Sequence, residues 1–342
     1  MLNDTSRSRA IGSILKKILP LLAFVIPITV LYFLDPVVFE KTWKGRIFYT
    51  FFLWLVSLEI ILSWEDLQTG KIKKTRSIRT GAFLLSLLLP IAYVVVSNFY
   101  GLNTLIENLA LGRGVLHPWA DVVPLSTEYL VFAALFALVI LLEYGARGLK
   151  VHSISTIFLG LIGVIYSIDN FYPNGSFTPF QIFVPTTASF AANFLNFLGY
   201  RTIWGGIIDG MTGLTVIGSH GSFSAAIAWP CSGIESLLIY AVTILLFLRN
   251  SAIPWKQRIV YFVAGGAVTY FINVLRIVTI FMIGANGPAV TAAAAAQTFH
   301  DYYGQLFSIA WIVFYPLLIM GSRAFWGKTG NIDTAAVNYG AD

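Results

Sequence analysis

The chain has a single cysteine, Cys231, in a short stretch of small residues that precedes an apolar run. A lone thiol cannot form an intramolecular disulfide, so it is either an inert buried group or one kept for its chemistry. If Pro230 opens a helix, where its missing N–H costs nothing, Cys231 lies beside the positive end of the helix dipole, which favours the nucleophilic thiolate. Ser232 and Gly233 would then keep the approach to the thiol open, or serve only as a cap and a point of close packing.

A second reactive position is Arg276, which lies inside an apolar run at ~10 Å from its outer end, at 1.5 Å per residue. A guanidinium is costly at that depth and keeps its proton, so we expect it to face a polar cavity or a partner. Asn273 lies one turn earlier on the same helix face and could hold it. The alternatives are snorkelling to the headgroups or an ion pair with Glu235 or Asp301.

A third candidate is His300, which enters the last apolar run from the same side of the membrane. Cys231, Arg276 and His300 fall at similar depth on three consecutive predicted helices. Together they could supply a thiol nucleophile, a fixed cation and a proton-transfer group. His220, in a predicted hairpin turn, is the rival base.

The composition defines the elements that must position these residues. Hydrophobic residues make up 57% of the 342 residues, charged residues 11%, and the mean hydropathy is +0.77. A membrane-spanning helix needs roughly 20 apolar residues. We therefore predict an all-α polytopic membrane protein with about eight transmembrane helices. The predicted spans are Ile18 to Leu34, Ile47 to Trp64, Gly81 to Phe99, Thr127 to Leu142, Ser153 to Ile168, Ile234 to Leu248, Ile259 to Ile283 and Tyr302 to Met320.

Most of the 22 lysines and arginines fall on one side of these spans, which places both termini in the cytoplasm. A basic rim beside anionic lipids accounts for the net charge of +6, so no nucleic-acid partner is expected. We predict a plasma-membrane protein whose first span is retained, with the reactive residues on the extracytoplasmic side. The predicted regions are 1–152, four transmembrane helices; 153–320, the catalytic transmembrane region; and 321–342, a cytoplasmic tail.

The longest outward connection follows the fifth span. Its segment from Thr186 to Leu198 carries phenylalanines at helical spacing, which predicts a short amphipathic helix at the membrane interface. From Met211 to Ala228 the apolar residues alternate around a turn, which predicts a β-hairpin. The hairpin would deliver the chain directly to Cys231, an arrangement that indicates a built pocket.

Three short motifs resemble the exosortase/archaeosortase family of integral membrane cysteine enzymes. They are the Cys-Ser-Gly-Ile run that begins at Cys231, the Asn-x-x-Arg of Asn273 and Arg276, and His300 followed one turn later by Gly304. Each motif alone is weak, but the ordered set with its matching topology is specific. The resemblance covers roughly Ser153 to Met320.

The resemblance implies a transpeptidase or protease that acts on exported proteins. Its substrates would end in a short motif, a transmembrane helix and a basic tail, and would be cut near the motif at the outer face. In that scheme Cys231 is the nucleophile, Arg276 stabilises the oxyanion or orients the thiolate, and His300 exchanges protons with the thiol and the leaving amine. Membrane lipids are expected partners, one of them as a potential acceptor, and no cofactor is implied.

Two other function classes compete with this interpretation. A multi-pass transporter could use Arg276 to bind an anionic solute, but paired half-helices and internal repeats are not evident in the sequence. An enzyme for lipid-linked substrates would need metal-binding carboxylates, and Asp169, Asp209 and Glu235 lack metal-ligand spacing, so no metal is expected. Both alternatives leave Cys231 without a role.

Overall fold

A computed structural model describes residues 2–63, 77–172, 178–208, 211–219, 221–249, 251, 253–288 and 290–338. The helices before the sheet are α1 Leu2–Leu34, α2 Pro36–Glu40, α3 Phe48–Leu62, α4 Ser77–Ser86, α5 Leu89–Phe99, α6 Leu102–Gly112, α7 His117–Ala120, α8 Val123–Val151, α9 Ser153–Phe171, α10 Thr178–Gln181 and α11 Val184–Phe197. Those after the sheet are a 3-10 turn Trp229–Ser232, α12 Ile234–Arg249, α13 Trp255–Asn286, α14 Ala292–Thr298, a π-helix Phe299–Tyr303 and α15 Gly304–Asn338.

Among the described residues, five helical stretches are long and apolar enough to cross a membrane: Thr80–Phe99, His117–Val151, Ser153–Phe171, Trp255–Asn286 and Ala292–Arg323. Each contains one of the predicted spans. The other three predicted spans fall on shorter apolar stretches, namely Ile18–Leu34 within α1, Phe48–Ile61 within α3, and α12. The protein is therefore a mostly helical multi-pass membrane protein.

A small antiparallel sheet precedes the cysteine, in the order β1-β2-β3. Its strands are β1 Arg201–Ile208, β2 Met211–Ile217 and β3 Ser222–Ile227. The predicted hairpin corresponds to β2 and β3, so this expectation is confirmed. Strand β1 was not predicted, because its Gly205–Gly206 pair interrupts the alternation of side chains that marks a strand.

The predicted interfacial helix corresponds to α11. Its buried face consists mainly of small residues, including Ala188 and Ala191, and packs against the rest of the protein. The opposite face exposes Phe190 and Phe197, which are 54% and 81% accessible. Large aromatic side chains on an outward helix face are typical of contact with the membrane interface.

Aromatic side chains fill the centre of the N-terminal bundle. The ring of Phe24 in α1 makes edge-to-face contacts with Phe52 of α3 and with Phe132 and Phe136 of α8, at centroid distances of 5.4–5.6 Å. Such pairs add about 0.5–1.5 kcal/mol each beyond the area that they bury. The bundle therefore provides a rigid support for the connection between α2 and α3.

That connection, residues 41–47, is held by two buried ion pairs and is called the anchored loop below. Arg46 donates to both carboxylate oxygens of Glu128, at 2.8 and 2.9 Å. Lys44 Nζ lies 2.6 Å from a carboxylate oxygen of Asp169 and also donates to Asn170. Separating either ion pair would leave a buried charge without a partner, which is energetically costly. The two pairs therefore hold residues 41–47 in one conformation. The loop is thus a fixed point against which a neighbouring segment can be positioned.

Candidate active site

Cys231 lies in the 3-10 turn between β3 and α12. Pro230 does open this turn, but Gly233, with φ +91°, separates it from α12, which begins only at Ile234. Pro230 therefore does not open the helix of the sixth predicted span, and the thiol lies just before that helix rather than in its first turn. A single turn has only a small macrodipole, so activation of the thiol comes mainly from the side chains of His300 and Arg276.

The turn is fixed by hydrogen bonds around it. Asn273 Nδ2 donates to the carbonyl oxygen of Cys231 at 2.9 Å, so Asn273 holds the cysteine backbone rather than Arg276, contrary to expectation. A Cβ on Gly233 would lie 2.9 Å from that Asn273 nitrogen, which explains the glycine. The hydroxyl of Ser232 donates to the carbonyl of Trp229 at 2.6 Å, so Ser232 caps the turn. Of the two alternatives for Ser232 and Gly233, the structure favours capping and close packing.

His300 contacts the thiol directly. Its Nε2 lies 3.7 Å from Cys231 Sγ, and its Nδ1 lies 2.8 Å from a carboxylate oxygen of Asp301. Both residues lie in the π-helix at Phe299–Tyr303, a wider turn of the kind that often occurs at functional sites. With Nδ1–H donating to Asp301, Nε2 is free to accept the thiol proton.

Asp301 is a residue of the site whose role the sequence did not indicate. Gln297 Nε2 donates to its carboxylate at 2.9 Å. Its backbone carbonyl accepts hydrogen bonds from the amide and the hydroxyl of Thr42, in the anchored loop, at 2.9 and 2.6 Å. The N-terminal bundle therefore supports the His–Asp pair. No local motif around Thr42 signals this contact, because 259 positions separate the two residues.

Arg276 is buried, with 4% of its surface exposed, and faces the same cavity as the thiol. Within the described residues its guanidinium makes no hydrogen bond and no ion pair, and its Nε is fully buried. The alternative of an ion pair with Glu235 or Asp301 is not formed at contact distance, and both Glu235 oxygens are likewise without a hydrogen-bond partner among the described residues. A Cβ on Gly304 would lie 2.6 Å from Arg276 Nε, so this glycine makes room for the guanidinium.

Cys231, Arg276 and His300 line one cavity of about 170 Å³ between β3, α13 and α14. Gln297 is the one other polar residue among the described residues that line the cavity. The apolar ones are Phe223, Ala225, Ala226, Ile227, Ile277, Ile280, Phe281, Ala293 and Ala296. Burial alone would raise the pKa of the Cys231 thiol, but the hydrogen bond to His300 and the charges of His300 and Arg276 lower that pKa below its ordinary value. The site thus combines a thiol that ionises readily with an unpaired guanidinium.

The rival base, His220, lies outside the described residues, as does Asp209. Within the part of the chain that the structure describes, one group of potential metal ligands lies close together: Glu107, His117 and Asp121. None of the three lines the cysteine cavity. The described residues that line the cavity include no carboxylate.

The chain is similar to one known family of membrane proteins. A family model described as transmembrane exosortase matches residues 40–315. The chain belongs to the exosortase family. The exosortase match includes the anchored loop and the N-terminal helices, in addition to the segment from Ser153 onward that carries the three motifs. No curated protein and no solved structure shows a significant match to the chain.

Proposed function

We propose that the protein is a membrane-embedded cysteine transpeptidase or protease that processes the C-terminal sorting signals of exported proteins. The observation that carries this proposal is the 3.7 Å contact between Cys231 Sγ and His300 Nε2, in a cavity that also contains the unpaired guanidinium of Arg276. Family membership supports the reaction class, and the cavity supplies a nucleophile, a proton-transfer group and a cation.

The reaction would begin with transfer of the thiol proton of Cys231 to His300 Nε2. The sulfur then attacks the carbonyl carbon of the scissile peptide bond, and the resulting oxyanion lies beside Arg276. When the C–N bond breaks, His300 returns the proton to the leaving amine, and a thioester remains on the sulfur. An amine or water then attacks the thioester and loses a proton to His300, the C–S bond breaks, and the sulfur leaves as a thiolate that takes the proton back from His300.

Asp301 and Arg276 would have distinct roles in this scheme. Asp301 accepts from Nδ1–H of His300, which keeps Nε2 directed at the sulfur and stabilises the imidazolium that forms. Arg276 stabilises negative charge on the thiolate and then on the oxyanion. A guanidinium that lacks a carboxylate at contact distance is available for this purpose, whereas one in a tight ion pair would be partly neutralised.

We further propose the topology in which this reaction takes place. Eight spans with both termini in the cytoplasm would put the cavity at the outer face of the plasma membrane. There it would meet exported proteins that end in a motif, a transmembrane helix and a basic tail, and a lipid could serve as acceptor. Residues 153–320 would carry the reactive side chains, with 1–152 as a supporting transmembrane region and 321–342 as a cytoplasmic tail.

The direct test is replacement of the nucleophile. Cys231→Ala and Cys231→Ser would be expressed with an exported protein of the same organism that carries a C-terminal anchor helix. We expect both variants to abolish removal of that helix, measured by the mass of the exported protein, while membrane levels of the enzyme stay unchanged. Undiminished processing by Cys231→Ala would refute the assignment.

A further inference from the structure

Strand β3 has an unpaired edge. It pairs with β2 through six consecutive residue pairs, from Ile217 with Ser222 to Thr212 with Ile227, and it is the last strand of the sheet. In the part of the chain that the structure describes, no backbone or side-chain group forms a hydrogen bond with its other edge. The backbone amides and carbonyls on that side are therefore available to a further strand.

The cysteine cavity adjoins β3, the strand that carries this edge. Successive side chains of a strand point to opposite faces, so a cavity on one face would be lined by every second residue. Phe223, Ala225 and Ile227, which share one face of β3, line the cavity near Cys231, and the intervening Ala226 lines it as well. The lining by Ala226 shows that the cavity is not confined to that face.

The edge of β3 also lacks the features that normally prevent strand pairing. Residues 222–227 contain no charge and no proline, and their register with β2 is unbroken. The opposite edge strand, β1, differs: it begins at Arg201, and its register shifts between Trp204 and Ile207, where Gly206 has φ +77°. Bulges, charges and prolines are the usual means of blocking an edge. β1 carries such features, and β3 does not.

We infer that the exported protein binds as an extended segment that adds to the free edge of β3 as a fourth strand. This inference rests on the proposed function and specifies how the substrate is held. Main-chain hydrogen bonds would provide most of the affinity, and the small side chains at Ala225 and Ala226 would leave room for the substrate backbone. The strand continues through Ala228 into the turn of Cys231, so a segment paired with β3 runs toward the thiol.

The register identifies which amides face the free edge. The amide of Gly218 donates to the carbonyl of Gly221 at 2.8 Å, so these two residues form a hydrogen-bonded pair. Hydrogen-bonded and non-hydrogen-bonded pairs alternate along an antiparallel ladder. The amide of Ala225 therefore points toward β2, whereas those of Ser224 and Ala226 point toward the free edge.

A proline substitution can test an amide of the free edge without affecting the amides that pair with β2. Ala226→Pro removes an amide from the free edge without removing a bond of the β2–β3 ladder, a position at which proline is tolerated. Ala226→Val has a side chain of similar bulk and keeps the amide. We expect Ala226→Pro to process the anchored exported protein about tenfold more slowly than Ala226→Val does. The reason is that one hydrogen bond to the substrate is lost, which corresponds to a factor of about that size.

Two measurements make the result interpretable. The thermal unfolding temperature and the iodoacetamide alkylation rate of Cys231 should match between the two Ala226 variants, which shows that the sheet and the thiol are intact. Trp204→Pro is the matched control, because by the same alternation its amide faces the outer edge of β1, away from the cavity. We expect this control to process the substrate at the parental rate.

Equal processing by Ala226→Pro and Ala226→Val would overturn the strand-addition inference, whether both variants are active or both are impaired, because the amide would then have no part in binding. Equal loss in Trp204→Pro would overturn it as well, since the effect would belong to the sheet and not to the edge of β3. Failure of the proposed function is distinguishable, because it would appear as undiminished processing by Cys231→Ala.

Discussion

The amide and the hydroxyl of Thr42 both donate to the backbone carbonyl of Asp301, at 2.9 and 2.6 Å. Thr42 is fully buried in the anchored loop, which Arg46 and Lys44 tie to the transmembrane helices α8 and α9. The carboxylate of the same aspartate holds His300. A chain of hydrogen bonds and ion pairs thus connects the N-terminal bundle to the imidazole that contacts Cys231.

Replacing Thr42 by valine tests this connection. Thr42→Val keeps the shape and the amide bond but removes the hydroxyl, which should lower the free energy of unfolding by about 1 kcal/mol. Processing should fall, because misplacing a reactive group by 1 Å can cost ~10²-fold. Thr29→Val, which removes a hydroxyl bonded only within its own helix, is the control. Equal activity in the two variants would contradict a positioning role for Thr42.

Removing the charge of Asp301 should affect His300 directly. In Asp301→Asn the amide can no longer stabilise an imidazolium, so processing should lose part of the ~10²–10⁴-fold that a positioned acid–base group contributes. The loss should appear in kcat rather than in KM. Single-turnover rates of the purified protein would measure it, and a parental rate would exclude Asp301 as the orienting group.

The guanidinium of Arg276 should not be replaceable by another cation. Arg276→Lys keeps the charge but loses the planar array of donors, so processing should fall at least tenfold, and Arg276→Gln should lose ~10²–10³-fold, as for removal of an oxyanion donor. Both rates are measured on the same exported substrate. Activity of Arg276→Lys close to that of the parent would remove the case for a specific guanidinium role.

Gly304 provides a test of the same group without altering it. In Gly304→Ala the new methyl would lie 2.6 Å from Arg276 Nε, so the guanidinium must shift and processing should drop severalfold. Gly321→Ala in the same helix is the control, because its methyl would have no neighbour within 4 Å. If both alanine variants behave alike, the position of Arg276 is not critical.

The pH dependence of thiol reactivity follows from the environment of Cys231. Burial acts to raise its pKa, but the His300 hydrogen bond and the positive charges of His300 and Arg276 outweigh burial, so the pKa is lowered. The thiolate should therefore persist as the pH falls below the ordinary cysteine value of ~8.5, and be lost only as the pH passes through the lowered pKa.

The rate of iodoacetamide alkylation across pH measures this pKa, and the single cysteine makes the signal specific. His300→Ala should move the inflection to higher pH, because the stabilising hydrogen bond is lost while burial remains. An inflection at or above ~8.5 in the parent protein would contradict the lowered pKa.

The sequence predicted those features that leave a periodic signal. Apolar runs located the long helices, alternation located β2 and β3, and phenylalanines at helical spacing located α11. The grouping of Cys231, Arg276 and His300 followed from topology, because consecutive spans that end at one membrane face bring their ends together.

The remaining features depend on geometry that leaves no such signal. The π-helix changes the direction of side chains within an otherwise continuous apolar run, so the pairing of His300 with Asp301 is invisible to helical periodicity. The bond between Thr42 and Asp301 joins distant segments, and the separate turn at Cys231 depends on a positive φ at Gly233. Tertiary packing decides each of these.

The π-helix at Phe299–Tyr303 has a consequence for how such a site can arise and be lost. A π turn is equivalent to an α-helix that has gained one residue, and each residue of an α-helix advances by about 100°. Deleting a single residue from this segment would restore regular helix and change the directions of the side chains within that turn, His300 included. Deletion of one codon would therefore be enough to move the imidazole away from Cys231, with every side chain of the constellation still present in the sequence.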